Sequence, residues 1–137
     1  ESLQRLVNRL QLDQAVIFAG HHGAADGLGM FYKISDLYVS MSEHEGFCIP
    51  LVEAMYYGLP VLAYASTGVP YTMGDAGVMI RQKDYAVTAE IAHEMITNDA
   101  LRSRLIEGQR ARLAAFAPDV ARAQFRACVV AVESDTL

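Results

Sequence analysis

Residues 42–70 read SEHEGFCIPLVEAMYYGLPVLAYASTGVP, and the fold turns on this stretch. It opens polar, becomes apolar from Ile49, breaks at Gly58 and Pro60, and resumes as the apolar run PVLAY. Pro50 suits a first helical turn, where its missing N–H costs nothing. Gly58 supplies a left-handed cap and Pro60 a breaker. A helix over 50–57 followed by a buried strand over 60–64 is therefore predicted. Two carboxylates interrupt the pattern. Glu45 stands just ahead of the helix, and Glu53 sits among Leu51, Val52, Ala54 and Met55.

The same alternation extends in both directions. AVIFAG, Ala15–Gly20, and DLYVSMS, from Leu37 to about Met41, read as further buried strands, and GVMI before Arg81 as a fourth. Helices are expected at the start, where Leu3, Leu6, Val7 and Leu10 recur on one face, and from about Gly27 to Ile34. Asp84 is a plausible N-cap for a helix carrying Val87, Ile91, Ala92, Met95 and Ile96. Asn98 or Asp99 opens another with Leu101, Leu105 and Ile106; Pro118 begins a last one carrying Val120, Phe125, Cys128, Val129 and Val132. Short apolar strands alternating with helices imply βαβ units: an α/β fold, a Rossmann-like open parallel sheet flanked by helices. Ligands in such sheets bind beyond the carboxyl ends of the strands. The loops at 20–27, 42–49 and 65–70 are then the ones to watch.

Composition bounds the class. The chain has 137 residues, 53% hydrophobic and 20% charged, which describes one globular domain able to bury a core. No run of 18 apolar residues occurs, so no spanning helix is expected. A net charge of −5 argues against a general nucleic-acid or membrane binder. Cys48 and Cys128, without metal-type spacing, fit reduced thiols in a cytoplasmic protein. Between Ile34 and Ile80 there is no Lys or Arg, whereas Asp36, Glu43, Glu45, Glu53 and Asp75 all fall there. A solvated acidic face explains that block as well as a site does.

Glu45 leaves the second strand at the ligand-binding edge. Glu53 lies one turn into the helix, its side chain leaning back toward the N-terminus. Between them are the free N–H groups near Phe47, Cys48 and Ile49, at the positive end of the helix dipole, which suit a phosphate. Carboxylates beside a phosphate cradle suit a molecule bearing both hydroxyls and phosphates, such as a nucleotide sugar. The plainer readings are a dipole-stabilised Glu53, worth about 0.3–1 kcal/mol, and a solvated Glu45.

The matching positions Ser42, Glu45, Gly46, Phe47, Pro50, Glu53, Ala54, Met55, Gly58, Pro60 and Val61 resemble the glutamate-pair motif of glycosyltransferase group 1, retaining enzymes of the two-domain GT-B type. The resemblance runs strongly from about Val16 to Asp84 and loosely through the helical tail. It implies that Glu45 contacts the donor hexose near the anomeric centre and that Glu53 binds the ribose hydroxyls. Ser42, Gly46, Phe47, Cys48 and Ile49 would complete the donor site, with backbone amides of the last three meeting hexose and diphosphate. His21, Thr67 and Gly68 are candidate pocket-lining residues. The donor would be UDP- or GDP-linked, with no cofactor and no metal. Residues 1–137 would form a single, partial nucleotide-sugar-binding domain, the carboxy-terminal half of a GT-B enzyme. The domain's first strand and loop, with their basic residues, and the amino-terminal acceptor domain would lie outside it. Such a piece is expected to be inactive alone.

Cys48 departs from the glycine usual at its position and puts a side chain close to the donor. Adjacent His21 and His22 do not share one ion easily, and no spacing resembles a zinc site. Arginines at 102, 104, 110, 112, 122 and 126 are compatible with a membrane-facing stripe at the inner membrane face. Glu107 and Asp119 interrupt them, which favours a solvated face. The rival functions are a non-catalytic scaffold of the same fold and a nucleotide-sugar epimerase.

Overall fold

Val61, Leu62 and Ala63 are fully buried, as a strand covered on both faces must be, and they form the middle of a three-stranded parallel sheet. The computed structural model describes residues 2–20 and 27–134, the last two by backbone alone. The strands are β1 (Tyr38–Ser40), β2 (Val61–Tyr64) and β3 (Val78–Ile80), in that spatial order. Leu62 is in register with Val39 on one side and Val78 on the other. Because all three run the same way, their carboxyl ends share one edge.

The expected helix between β1 and β2 is α3 (Ile49–Tyr56). It ends as Gly58 predicts. Gly58 has φ +73°, its N–H donates to Met55, and the Leu59 N–H donates to Ala54, the paired bonds of a Schellman cap. A short helix, α4 (Val69–Met73), follows β2 where the sequence reads only as loop.

Asp84 Oδ1 accepts from the Ala86 and Val87 amides and starts α5 (Tyr85–Thr97). Asn98 Oδ1 accepts from Leu101 and starts α6 (Asp99–Leu113). A 3₁₀ turn at Ala114–Phe116 leads into α7 (Pro118–Ser134). Met95 from α5 packs on Leu62 and Ile80, with Ile91, Leu101 and Leu105 around them. Full burial of one such side chain contributes about 1.5–3 kcal/mol.

The chain divides into two compact units, Glu1–Met30 and Phe31–Leu137; the sheet belongs to the second. In the first, Ser2 caps α1 (Leu3–Arg9). The strand expected at Ala15–Gly20 is not formed. The Ala15 and Val16 amides instead bond the Leu12 carbonyl, closing a turn, and Ile17 is 88% exposed. An apolar run becomes a strand only where a neighbour takes up its backbone groups. Residues 16–20 are not assigned to any strand, and the sheet comprises only β1, β2 and β3 among the described residues. Gly27–Ile34 is realised as α2 (Leu28–Ile34).

Candidate functional site

At the carboxyl edge of the sheet, the loops after β1 and β2 are strapped together. The Glu45 amide donates to Thr67 Oγ1 at 2.8 Å, and that hydroxyl donates to the Glu45 carbonyl. The Gly68 amide also donates to the Glu45 carbonyl, at 3.1 Å. Ser66 Oγ donates to the Ser42 carbonyl at 2.8 Å, and Thr72 Oγ1 to the Phe47 carbonyl at 2.5 Å. The approach is so close that a Cβ on Gly68 would fall 1.6 Å from the Gly46 oxygen. Glycine is required there by contact, not by conformation. Of the predicted site, Ser42, Glu45, Gly46, Phe47, Thr67 and Gly68 are thus brought into one bonded assembly.

The two carboxylates share a neighbour. Glu45 and Glu53, both half-buried, act electrostatically on the same phenol, Tyr38. That phenol is pushed up to about 12, first by burial and then by the Cys48 sulfur, with both carboxylates adding to the shift. Glu53 is the fifth residue of α3, and Tyr32 Oη donates to its Oε2 at 2.9 Å. Burial first, then Glu53, hold the Tyr32 phenol far above its ordinary range, so it remains a donor. Tyr32 stacks on Tyr57, ring centroids 5.3 Å apart, which fixes its direction.

Cys48 precedes α3 with φ +57° and is buried. Its position demands the left-handed conformation in which glycine is free and a side chain is strained. The thiol is pushed up by burial and then by the Glu45 carboxylate, so it stays protonated beside that group. The amides of Phe47, Cys48 and Ile49 carry no hydrogen bond from the described residues. They lie at the start of an eight-residue helix, where a phosphate is well placed. The corner is open. Glu53 borders a groove of about 490 Å³ with Phe47, Ile49, Tyr56, Phe116 and Pro118.

Three residues escape a reading of local pattern. Tyr32 shows only as a phenol on a helix. Arg112 reaches the loops from α6. Lys83, just past β3, donates to Glu43 at 2.8 Å and lies over the Tyr64 ring. The ion pair lowers Glu43 and raises Lys83. A cation therefore does reach this edge, although none occurs between Ile34 and Ile80 in sequence. The convergence of all strand-exit loops on one edge is the signal that would have found it. His21 lies outside the described residues. Cys48 and Cys128 are free thiols. Among the described residues, no helix is long and apolar enough to cross a membrane.

Comparison with known proteins places the chain in a family and a fold. A sequence model of the family described as glycosyl transferases group 1 matches residues 1–112. N-acetyl-alpha-D-glucosaminyl L-malate synthase of Bacillus anthracis is 29% identical over 81% of the chain and 28% of its own length. O-antigen chain mannosyltransferase B of Escherichia coli is 32% identical over 68% of the chain and 24% of its own length. The chain therefore spans about a quarter of the length of these curated relatives. Among solved structures, the C-terminal domain of a group 1 family glycosyl transferase from Francisella tularensis superposes with a TM-score of 0.70 at 24% identity, over 82% of the chain and 59% of that domain. Sucrose-phosphate synthase of Thermosynechococcus elongatus gives 0.76 at 24% identity, over 95% of the chain and 34% of that structure. At this identity the superpositions establish the fold: that of a GT-B carboxy-terminal domain.

Proposed function

Because the chain belongs to the group 1 glycosyltransferase family, we propose that it is the donor-binding domain of a retaining hexosyltransferase that uses a nucleotide sugar. What supports the reading is the pair of half-buried carboxylates, Glu45 and Glu53, that precede and follow in sequence the unbonded amides of residues 47–49, on the loop and helix after β1. Glu53, steadied by Tyr32, grips the ribose hydroxyls. Glu45 grips the hexose near its anomeric carbon and orients it without acting as a base. The amides of Phe47, Cys48 and Ile49 receive the diphosphate, and Ser42, Gly46, Thr67 and Gly68 shape the loop that presents them.

The bond from the anomeric carbon to the diphosphate oxygen breaks, and its electron pair leaves with the diphosphate. The acceptor oxygen bonds to the same face of the sugar, and its proton passes to the departing oxygen. Negative charge grows on the diphosphate as this happens. Preorganised donors at the start of α3 stabilise it, a contribution of several kcal/mol in sites of this kind. The acceptor and the remaining cations for the diphosphate come from the rest of a longer protein, on which activity depends. No metal or cofactor takes part, and the reaction faces the cytoplasm.

The test uses the complete protein that carries this chain. Glu45→Gln and Glu53→Gln are each expected to lower kcat/KM for the nucleotide sugar by tenfold or more, about 1.4 kcal/mol or above. Unchanged turnover in both variants would remove the assigned roles. Calorimetric titration of UDP- and GDP-sugars sharpens the result: tight binding by the complete protein and weak binding by residues 1–137 are expected.

A further inference from the structure

We propose that Arg112 is the positioning residue that fixes the donor loop, acting through the short helix α4; the proposal rests on the function assigned above. A five-residue helix has almost no internal ladder and does not persist unaided. Its last carbonyls are orphaned unless something donates to them. Arg112, from the last turn of α6, supplies both donors: Nε to the Thr72 carbonyl at 3.1 Å and Nη2 to the Tyr71 carbonyl. The side chain packs across Gly74, where a Cβ would lie 3.5 Å from Nε. Gly74 ends α4 with φ +55°.

From α4 the constraint passes to the loop at two points. Gly68 and Thr67, ahead of its first turn, hold the Glu45 peptide. Thr72, fully buried, donates to the Phe47 carbonyl. A peptide unit is planar and trans. Fixing the Phe47 oxygen therefore fixes the Cys48 N–H on the opposite side of the same plane, one of the amides assigned to the donor. Aromatic contacts close the ring. The Phe47 ring meets Phe116 edge to face, centroids 5.3 Å apart at 88°, and the Arg112 guanidinium lies 4.8 Å from the Phe116 centroid. Arg112, Thr72, Phe47 and Phe116 thus form one circuit, with the donor amide at its far side.

Lysine does not substitute for this arginine. The planar fork bonds two neighbouring carbonyls while its guanidinium carbon lies over an aromatic ring, and an ammonium, a point charge on a flexible stem, does not hold all three contacts in one fixed plane. A role through charge alone would be rescued by lysine; a role through the fork is not.

In the complete enzyme, with UDP-glucose and GDP-mannose as donor probes, Arg112→Lys and Thr72→Val are each expected to lower kcat/KM by tenfold or more, mainly through kcat. Inhibition by the free nucleoside, uridine or guanosine, reports the Glu53 end alone and should change by less than twofold. The double variant should lose no more than the worse single one, because both changes cut one circuit. Thr72→Val keeps the buried volume and remains informative if Arg112→Lys is poorly folded. Normal turnover in Arg112→Lys, nucleoside affinity falling in step with turnover, or additive losses would each overturn the proposal. Glu45→Gln separates this from the function itself. If it leaves turnover intact, the assigned site is wrong; if it cripples turnover while Arg112→Lys does not, only the role of Arg112 fails.

Discussion

The loop at residues 42–49 and the helix α7 both meet solvent over most of their length, yet they are ordered by opposite means. The loop has no regular structure before Ile49 and is held by side chains and amides far away in sequence: Ser66, Thr67, Gly68, Thr72 and Lys83. Helix α7 is ordered by its own ladder, and the Arg122 side chain turns back to the Pro118 carbonyl one turn earlier. Its apolar residues Phe125, Val129 and Val132 recur at i, i+4 and i+7 and stand exposed. Exposure therefore says little about order here. The loop should be sensitive to single atoms and the helix surface nearly indifferent to them.

The most damaging change to the loop should be the smallest one. Gly68→Ala puts a methyl group 1.6 Å from the Gly46 oxygen, an overlap that only backbone movement relieves. Both Gly68 and Gly46 sit beside Glu45, so its carboxylate and the following amides move with them. A misplacement of about 1 Å can cost about a hundredfold in rate. A loss of that size in kcat is expected for the complete enzyme, with its circular dichroism spectrum preserved. Turnover within threefold of the parent would show that the loop tolerates slack and that the contrast with α7 is overdrawn.

Tyr32→Phe comes next. It deletes the donor to Glu53 Oε2 and leaves the stack on Tyr57 in place. A net hydrogen bond of about 1 kcal/mol corresponds to roughly a fivefold effect. The ribose is gripped equally before and during reaction, so KM for the donor should rise while kcat holds. A fall in kcat at constant KM would mean that Glu53 serves the reacting centre instead.

What was legible in the sequence follows the same division. Helix α3, strand β2, the Gly58 cap and the Asp84 and Asn98 caps depend on neighbours a few positions away, and local pattern reveals them. Glu45 and Glu53 stand close in sequence, on one loop and one helix turn, so local pattern alone singles them out as candidates. Helix α4 was not: its five residues show no period and are stabilised by Arg112, about forty positions on. The run at Ala15–Gly20 was misread because a strand is a property of a pair, and an apolar run records only half of it. Tyr32 and Lys83 acquire meaning only when the chain brings them to Glu53 and Glu43.

The smallest effect should come from the helix surface. Phe125 is 70% exposed on α7, so replacing it removes little packing from the 137-residue chain. Phe125→Ser swaps residues of comparable, moderate helix propensity. Surface substitutions away from caps, buried pairs and strained backbone stay within about 0.5 kcal/mol. The urea midpoint of this chain should accordingly be almost unmoved, with an unchanged m-value. A destabilisation of about 2 kcal/mol or more, the size expected of a core truncation, would mean that α7 packs in solution through the face now open to water. The helix would then owe its order to long-range contacts, as the donor loop does, and the distinction between the two regions would disappear.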